Sequence, residues 1–237
     1  MLACAMAHLY LGTSGWSYPA WKGKFYPAKI AAGEMLPFYA QHFDAVELNN
    51  SFYRMPKPEA MAKWRDAVPE GFRFALKAPQ QITHFRRLVE VDDPVRRFLE
   101  VAAAMGQAVG PILFQLPPNM RADVERLAAL LVLLPAAQRV AFEFRHDSWL
   151  DQPVFDLLQQ HDAALCLAET DDAVAPLLPA SGFVYLRLRK TDYTADELMA
   201  WRQKLTALVQ AGRDVYCFFK HENSAKGPEY VLSVMRS

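Results

Sequence analysis

The chain has 237 residues, of which 52% are hydrophobic, and its 26 Lys and Arg are balanced by 26 Asp and Glu. Zero net charge argues against global attraction to nucleic acid or to an anionic membrane, leaving only a local basic patch open; no run approaches the ~20 apolar residues of a membrane span. The length suits one large domain covering 1–237. Cys4, Cys166 and Cys217 are odd in number and show no Cys-x-x-Cys, which fits reduced thiols and a cytoplasmic setting better than a zinc ribbon. Met1–Ala7 is apolar but short and lacks the basic segment of a signal peptide, so it reads as a ragged start.

In chain order, a short apolar run ending in a polar residue alternates with a helix-period segment about eight times. Strand one is Leu9–Gly12, followed by a long loop, Thr13 to Pro27, rich in Gly, Trp, Tyr and Pro. A helix over about Gly33 to Phe43 leads to strand two, Ala45–Asn49, and Pro58 opens the next helix. Strand three is Phe72–Lys77, and Asp93-Pro94 starts a helix carrying Val95, Phe98, Leu99, Ala102 and Met105 at helical spacing. Strand four, Pro111–Leu116, stops at Pro117-Pro118; a helix with Val124, Leu127, Leu131 and Leu134 precedes strand five, Arg139–Arg145. Pro153 opens a further helix before strand six, Ala164–Ala168. The segment Asp171–Ser181 is too short and proline-broken for a full helix, so the sixth unit is expected to be irregular. Strand seven is Phe183–Leu188, Thr194 and Glu197 form a capping box for a helix ended by Gly212, strand eight is Val215–Phe219, and a helix from about Pro228 to Met235 closes the chain.

Eight βα units in a chain of this length predict an α/β fold, a single TIM-like (β/α)8 barrel of parallel strands, whose chemistry sits at the C-terminal strand ends. Those ends nominate the site. Glu47 and Glu143 close strands two and five, where a carboxylate is costly unless paired or functional; two of them suit acid/base work, or each pairs with a basic neighbour such as Arg145, on the same side of its strand as Glu143. Lys77 ends strand three and could hold an anion or form a Schiff base, with anion binding favoured; Thr83-His84 follows it, making His84 a proton-transfer candidate. Arg187, Arg189, Lys190 and Lys220 make strands seven and eight the basic side, able to grip a phosphate or carboxylate or to bridge Glu47, Glu143 or Glu169. Ser14 and Trp16 in the first loop, Asn49, Asn50, Tyr53 and Arg54 after strand two, and Gln115 after strand four complete a substrate-binding set; the first-loop aromatics serve equally as a hydrophobic plug. No His-Glu-x-x-His, Gly-x-Ser-x-Gly or Walker motif occurs, and no metal residues are nominated, although a carboxylate-rich site could hold Mg2+ or Mn2+.

Gly12-Thr13-Ser14-Gly15-Trp16-Ser17-Tyr18 with Trp21 and Phe25-Tyr26-Pro27, and Val46-Glu47-Leu48-Asn49-Asn50-Ser51-Phe52-Tyr53-Arg54-Met55-Pro56, resemble the DUF72, or YecE-like, family. The match continues through Trp64, Phe72–Lys77, Thr83-His84, Phe114–Pro118, Glu143-Phe144-Arg145 and Trp149, so it covers nearly the whole chain. The resemblance implies a TIM-like barrel and no established activity. Many relatives carry a His-Gly pair after strand seven and an Asn pair after strand eight; here those places read Leu188-Arg189-Lys190 and Lys220-His221-Glu222-Asn223, a more basic rim. The leading expectation is an enzyme acting on a small anionic, phosphorylated or sugar-like substrate. The alternatives are a protein binding or processing nucleic acid through the basic rim, and a barrel that binds its ligand without turnover.

Overall fold

Eight strands, β1 (Leu9–Ser14), β2 (Ala45–Leu48), β3 (Arg73–Lys77), β4 (Val109–Gln115), β5 (Val140–Glu143), β6 (Ala164–Glu169), β7 (Phe183–Leu188) and β8 (Asp214–Phe219), pair in sequence order, all parallel, and β8 closes onto β1. This is the α/β, TIM-like barrel that the alternation predicts. The computed structural model describes residues 7–172, 181–221 and 224–236. Among them are the helices α1 (Met35–Ala40), α2 (Asn50–Tyr53), α3 (Pro58–Asp66), α4 (Asp92–Ala102), α5 (Val124–Val132), α6 (Gln152–Gln160), α7 (Ala195–Gln210) and α8 (Lys226–Arg236). Most of the proline-broken segment expected to be irregular, 173–180, lies outside the described residues, as do Cys4, Glu222 and Asn223.

Alternation along each strand builds two cores, because successive side chains point to opposite faces. Outward residues such as Val46, Phe74, Leu76, Phe114, Phe142, Leu186 and Phe219 pack beneath the helices. Inward residues form a separate core in which small side chains of β2, β3, β5 and β6 (Ala45, Ala75, Ala141, Ala164, Cys166) and Leu113 of β4 face aromatics of β7 and β8 (Phe183, Tyr185, Tyr216, Phe218). The alanines leave the space that lets the large β7 side chains reach across the axis. Cys166 and Cys217 are buried free thiols, and burial raises the pKa of each.

Two local devices set the strand ends where the site forms. The Tyr39 hydroxyl sits between β1 and β2, accepting from Thr13 N–H (2.7 Å) and donating to the Ala45 carbonyl (3.0 Å). Gly12 is required beside it, since a Cβ there would lie 1.8 Å from the Ala45 carbonyl oxygen. In β4, the register advances by one extra residue relative to β3 around Gly110-Pro111, where proline has no N–H to give the ladder. β4 also begins at Val109, earlier than its apolar run suggests, and β5 is shorter than predicted, since β6 pairs with it only at Ala141 and Phe142.

Candidate functional site: a charged cluster across the barrel mouth

The C-terminal ends of β1, β2, β3, β4, β5 and β7 deliver Ser14, Glu47, Lys77, Gln115, Glu143 and Arg187, all of them buried. Registers Ser14 with Glu47 and Gln115 with Glu143 set these side chains in adjacent pairs. Arg187 spans the barrel between the two carboxylates. Its Nη2 donates to Glu47 Oε1 at 2.9 Å, and its Nη1 to Glu143 Oε2 at 2.5 Å and to Gln115 Oε1 at 3.3 Å. Glu47 also accepts from Ser14 Oγ (2.7 Å, to Oε1) and from the Tyr185 hydroxyl (2.8 Å, to Oε2). Glu143 Oε1 accepts from Arg145 Nε at 3.0 Å and lies 3.3 Å from Arg189 Nη2.

Burial alone would raise both carboxyl pKa values, but here the guanidinium groups win. Glu143 is lowered to about 2 against its burial, chiefly by Arg187, then Arg189 and Arg145. Glu47 is likewise lowered despite complete burial, through Arg187 and the hydrogen bonds from Ser14 and Tyr185. Both are therefore held as carboxylates, with each oxygen already accepting at least one hydrogen bond. Among the described residues, no three His, Cys, Asp or Glu side chains converge on a common point.

Among the described residues the cluster carries excess positive charge: Lys77, Arg145, Arg187 and Arg189 face Glu47 and Glu143. Arg187 Nε and Arg189 Nε are buried without a hydrogen-bond partner among the described residues. Arg145 is 35% exposed and Arg189 17%, so they form the solvent side of the group above the enclosed Arg187. Lys77 is 8% exposed, and its ammonium lies 3.8 Å from the centre of the Phe52 ring. Burial, then the neighbouring Arg187, lowers its pKa from 10.5 to about 8. Phe52 is carried by α2, which Ser51 ties to β3 by donating to the Lys77 carbonyl (2.7 Å). His84 meets the same ring edge-on at 4.9 Å, shares a 2.9 Å hydrogen bond between Nδ1 and Thr83 Oγ1, and has its pKa lowered by burial and then by Lys77.

The remaining candidates stand outside this cluster. Trp16 is buried and packs edge-on against Trp64 (5.2 Å), while Trp21, Phe25 and Tyr26 pack with Phe38 and Phe43 of the α1 region. The first loop thus fills the space beside the barrel. Trp16, Tyr18, Trp64, Asn49 and Asn50 line a cavity of about 430 Å³ there, and both amide atoms of Asn49 are buried without a hydrogen-bond partner among the described residues. Tyr53 and Arg54 end α2 at the surface. Lys190 pairs with Glu197 of α7, and Lys220 follows β8 at the surface. Glu169 turns outward to accept from the Tyr193 hydroxyl (2.6 Å) and Trp201 Nε1 (3.0 Å), so the arginines meet Glu47 and Glu143 instead. Sequence reasoning missed Tyr185 and the place of Phe52 against Lys77. Tyr185 had a signal, lying two residues before Arg187 on the same strand face.

A model of the family described as protein of unknown function DUF72 matches residues 10–237. UPF0759 protein YecE of Escherichia coli K12 is 33% identical over 140 residues, covering 58% of this chain and 48% of that protein. UPF0759 protein YunF of Bacillus subtilis 168 is 30% identical over 156 residues, 62% of this chain and 54% of that protein. The matches therefore span about half the length of these relatives. Among solved structures, a DUF72 family protein from Thermotoga maritima MSB8 superposes with a TM-score of 0.85 at 22% identity, covering 97% of this chain and 98% of that one. Another, from Enterococcus faecalis V583, gives 0.77 at 18% identity and covers 97% of both chains. With the family model matched almost end to end and the barrel shared with its solved members, the chain belongs to the DUF72 family of proteins of unknown function.

Proposed function

We propose that the protein is an enzyme acting on a small anionic, phosphorylated or sugar-like substrate at the C-terminal mouth of the barrel. The observation that carries this reading is the excess positive charge that Lys77, Arg145, Arg187 and Arg189 carry among the described residues, with the Nε donors of Arg187 and Arg189 left without a partner among them. A buried cationic excess is costly unless an anion completes it. Arg145 and Arg189, on the solvent side, would take the anion as fork-shaped donors. Glu47 and Glu143, held ionised, serve this reading as the fixed anions that aim Arg187. Proton transfer then falls to Lys77 and His84, the groups whose pKa values burial brings towards or below neutrality. Asn49, Asn50 and Trp16 would meet an uncharged ring in the neighbouring cavity. The test is a thermal-shift screen of inorganic phosphate, phosphosugars, nucleotides and divalent cations: a ligand at about a hundred times its dissociation constant stabilises by roughly 2.7 kcal/mol. Phosphorylated compounds should raise the melting temperature of the wild type and not of Arg145→Ala/Arg189→Ala; no shift with any anion would refute the reading.

One observation favours a second reading. Tyr53 and Phe85 are 74% and 72% exposed beside Arg54 and Arg86, an arrangement suited to stacking the bases of a single-stranded nucleic acid. It requires affinity that falls steeply with salt, and a flat salt response in a single-strand binding assay would remove it.

A further inference from the structure

Lys77 is placed differently from the other cations of the cluster. The arginines share the carboxylates: Arg187 bridges Glu47 and Glu143, and Arg145 and Arg189 both approach Glu143. The Lys77 ammonium makes no hydrogen bond or ion pair among the described residues and rests on the Phe52 ring instead. A lysine ammonium is compact and strongly hydrated, so burial beside Arg187 with no hydrogen-bond acceptor disfavours its protonated form, against the Phe52 face and the charges of Glu47 and Glu143, which favour it. The backbone of Lys77 is fixed by the parallel ladder and by Ser51, which limits how far the side chain can retreat towards solvent.

We propose that Lys77 is a covalent nucleophile that forms an imine with the aldehyde or ketone carbon of a small anionic substrate, whose charged end is held by Arg145 and Arg189. This rests on the anion-binding reading above and adds to it the carbonyl group that the substrate must carry. In the step, the free amine of Lys77 attacks the carbonyl carbon and the carbonyl π electrons pass to oxygen, which takes up a proton. The nitrogen loses a proton, and the carbinolamine hydroxyl takes up the proton that the Lys77 ammonium gave up to become the free amine, so that the oxygen leaves as water. The balance is one ammonium and one carbonyl giving one iminium and one water, with no oxidant or reductant required. His84, on the edge of the ring that carries the Lys77 ammonium, is the neighbouring group able to relay the proton. The lowered pKa of Lys77 supports the assignment, since at neutral pH such a side chain is a free amine on the order of a hundredfold more often than an ordinary lysine.

The experiment is reductive trapping on the wild-type chain. Protein is incubated with sodium cyanoborohydride and either pyruvate, a carboxylate-bearing ketone, or dihydroxyacetone phosphate, a phosphate-bearing one. Adducts are located by peptide mass spectrometry, and inorganic phosphate is added as a competitor. The expected result is labelling of Lys77 at least about tenfold above that of exposed lysines such as Lys57, rising with pH through about 8 and suppressed by phosphate. The preferred probe distinguishes a carboxylate from a phosphate substrate. Labelling of Lys77 no greater than that of Lys57 with both probes overturns the covalent role. If phosphate still stabilises the protein against heat in that case, the anion-binding reading survives alone. Selective labelling of Lys77 that phosphate neither suppresses nor accompanies with a thermal shift keeps the nucleophile and removes the anion site.

Discussion

Replacing Lys77 by Met should stabilise the protein near neutral pH. Met keeps the apolar stem on Phe52 and removes a charge that has no acceptor. A folded pKa of about 8 against 10.5 means that the protonated lysine costs about 3 kcal/mol relative to the unfolded chain. The lost ammonium–ring attraction, about 0.5–2 kcal/mol, offsets part of this, leaving an expected gain of about 1–3 kcal/mol at pH 7. The sign with pH follows from linkage. Because the folded pKa lies below the unfolded one, the unfolded chain binds more protons between about 8 and 10.5, so the wild type gains stability across that window while the variant does not. The advantage of the variant is therefore full below about 8 and fades towards pH 10. Guanidinium chloride unfolding of both proteins at about pH 7 and about pH 10, read as midpoint and slope, measures it. A variant less stable than wild type at pH 7, or an advantage that does not narrow by pH 10, would refute the reasoning.

Three further outcomes follow from the same geometry. Arg187→Met leaves Glu47 buried without a guanidinium and Glu143 with only Arg145 and Arg189, and should cost about 3–5 kcal/mol at pH 7; both carboxyl pKa values then rise, so the deficit shrinks as pH falls to about 4, and a deficit independent of pH in chemical unfolding would contradict the bridging role. Glu143, lowered to about 2, contributes stability that is complete above its unfolded value of 4.5 and is lost as pH falls through about 2, about 3 kcal/mol in all; wild type should therefore lose more stability on acidification than Glu143→Gln, and parallel acid-unfolding curves would count against it. Tyr39→Phe leaves Thr13 N–H and the Ala45 carbonyl unpaired between β1 and β2 and should cost about 1–3 kcal/mol in thermal unfolding, whereas a neutral result would mean that the ladder closes without the hydroxyl.

Much of the fold was legible because barrel strands declare themselves twice, by apolar runs and by the polar residues that end them. Thr194 and Glu197 form the capping box read from their spacing, with Glu197 N donating to Thr194 Oγ1 at 3.2 Å and Thr194 N to Glu197 Oε2 at 2.9 Å. The Arg145 to Glu143 pair was legible because a spacing of two puts both on one side of the predicted strand, although β5 itself ends at Glu143. The span of Arg187 was only one of several alternatives, because its length across the barrel depends on closure and on the alanines of β2, β3, β5 and β6, which no local pattern encodes. The contact of Phe52 with Lys77 was hidden for the same reason: α2 is too short for a periodic signal, and its position depends on a hydrogen bond from Ser51 to a residue 26 positions away. The first loop shows the opposite limit, since an aromatic-rich stretch reads alike whether it binds a ring or packs against α1.

The claim at the centre of this account is that the mouth of the barrel completes its charge with an anion. Isothermal titration of inorganic phosphate into wild type and Arg145→Ala/Arg189→Ala at low ionic strength tests it directly. Each lost charge-assisted hydrogen bond is worth about 1.5–3 kcal/mol, so saturable binding to wild type should weaken at least tenfold in the double variant. Equal affinity in the two proteins, or no saturable binding to wild type, would contradict it.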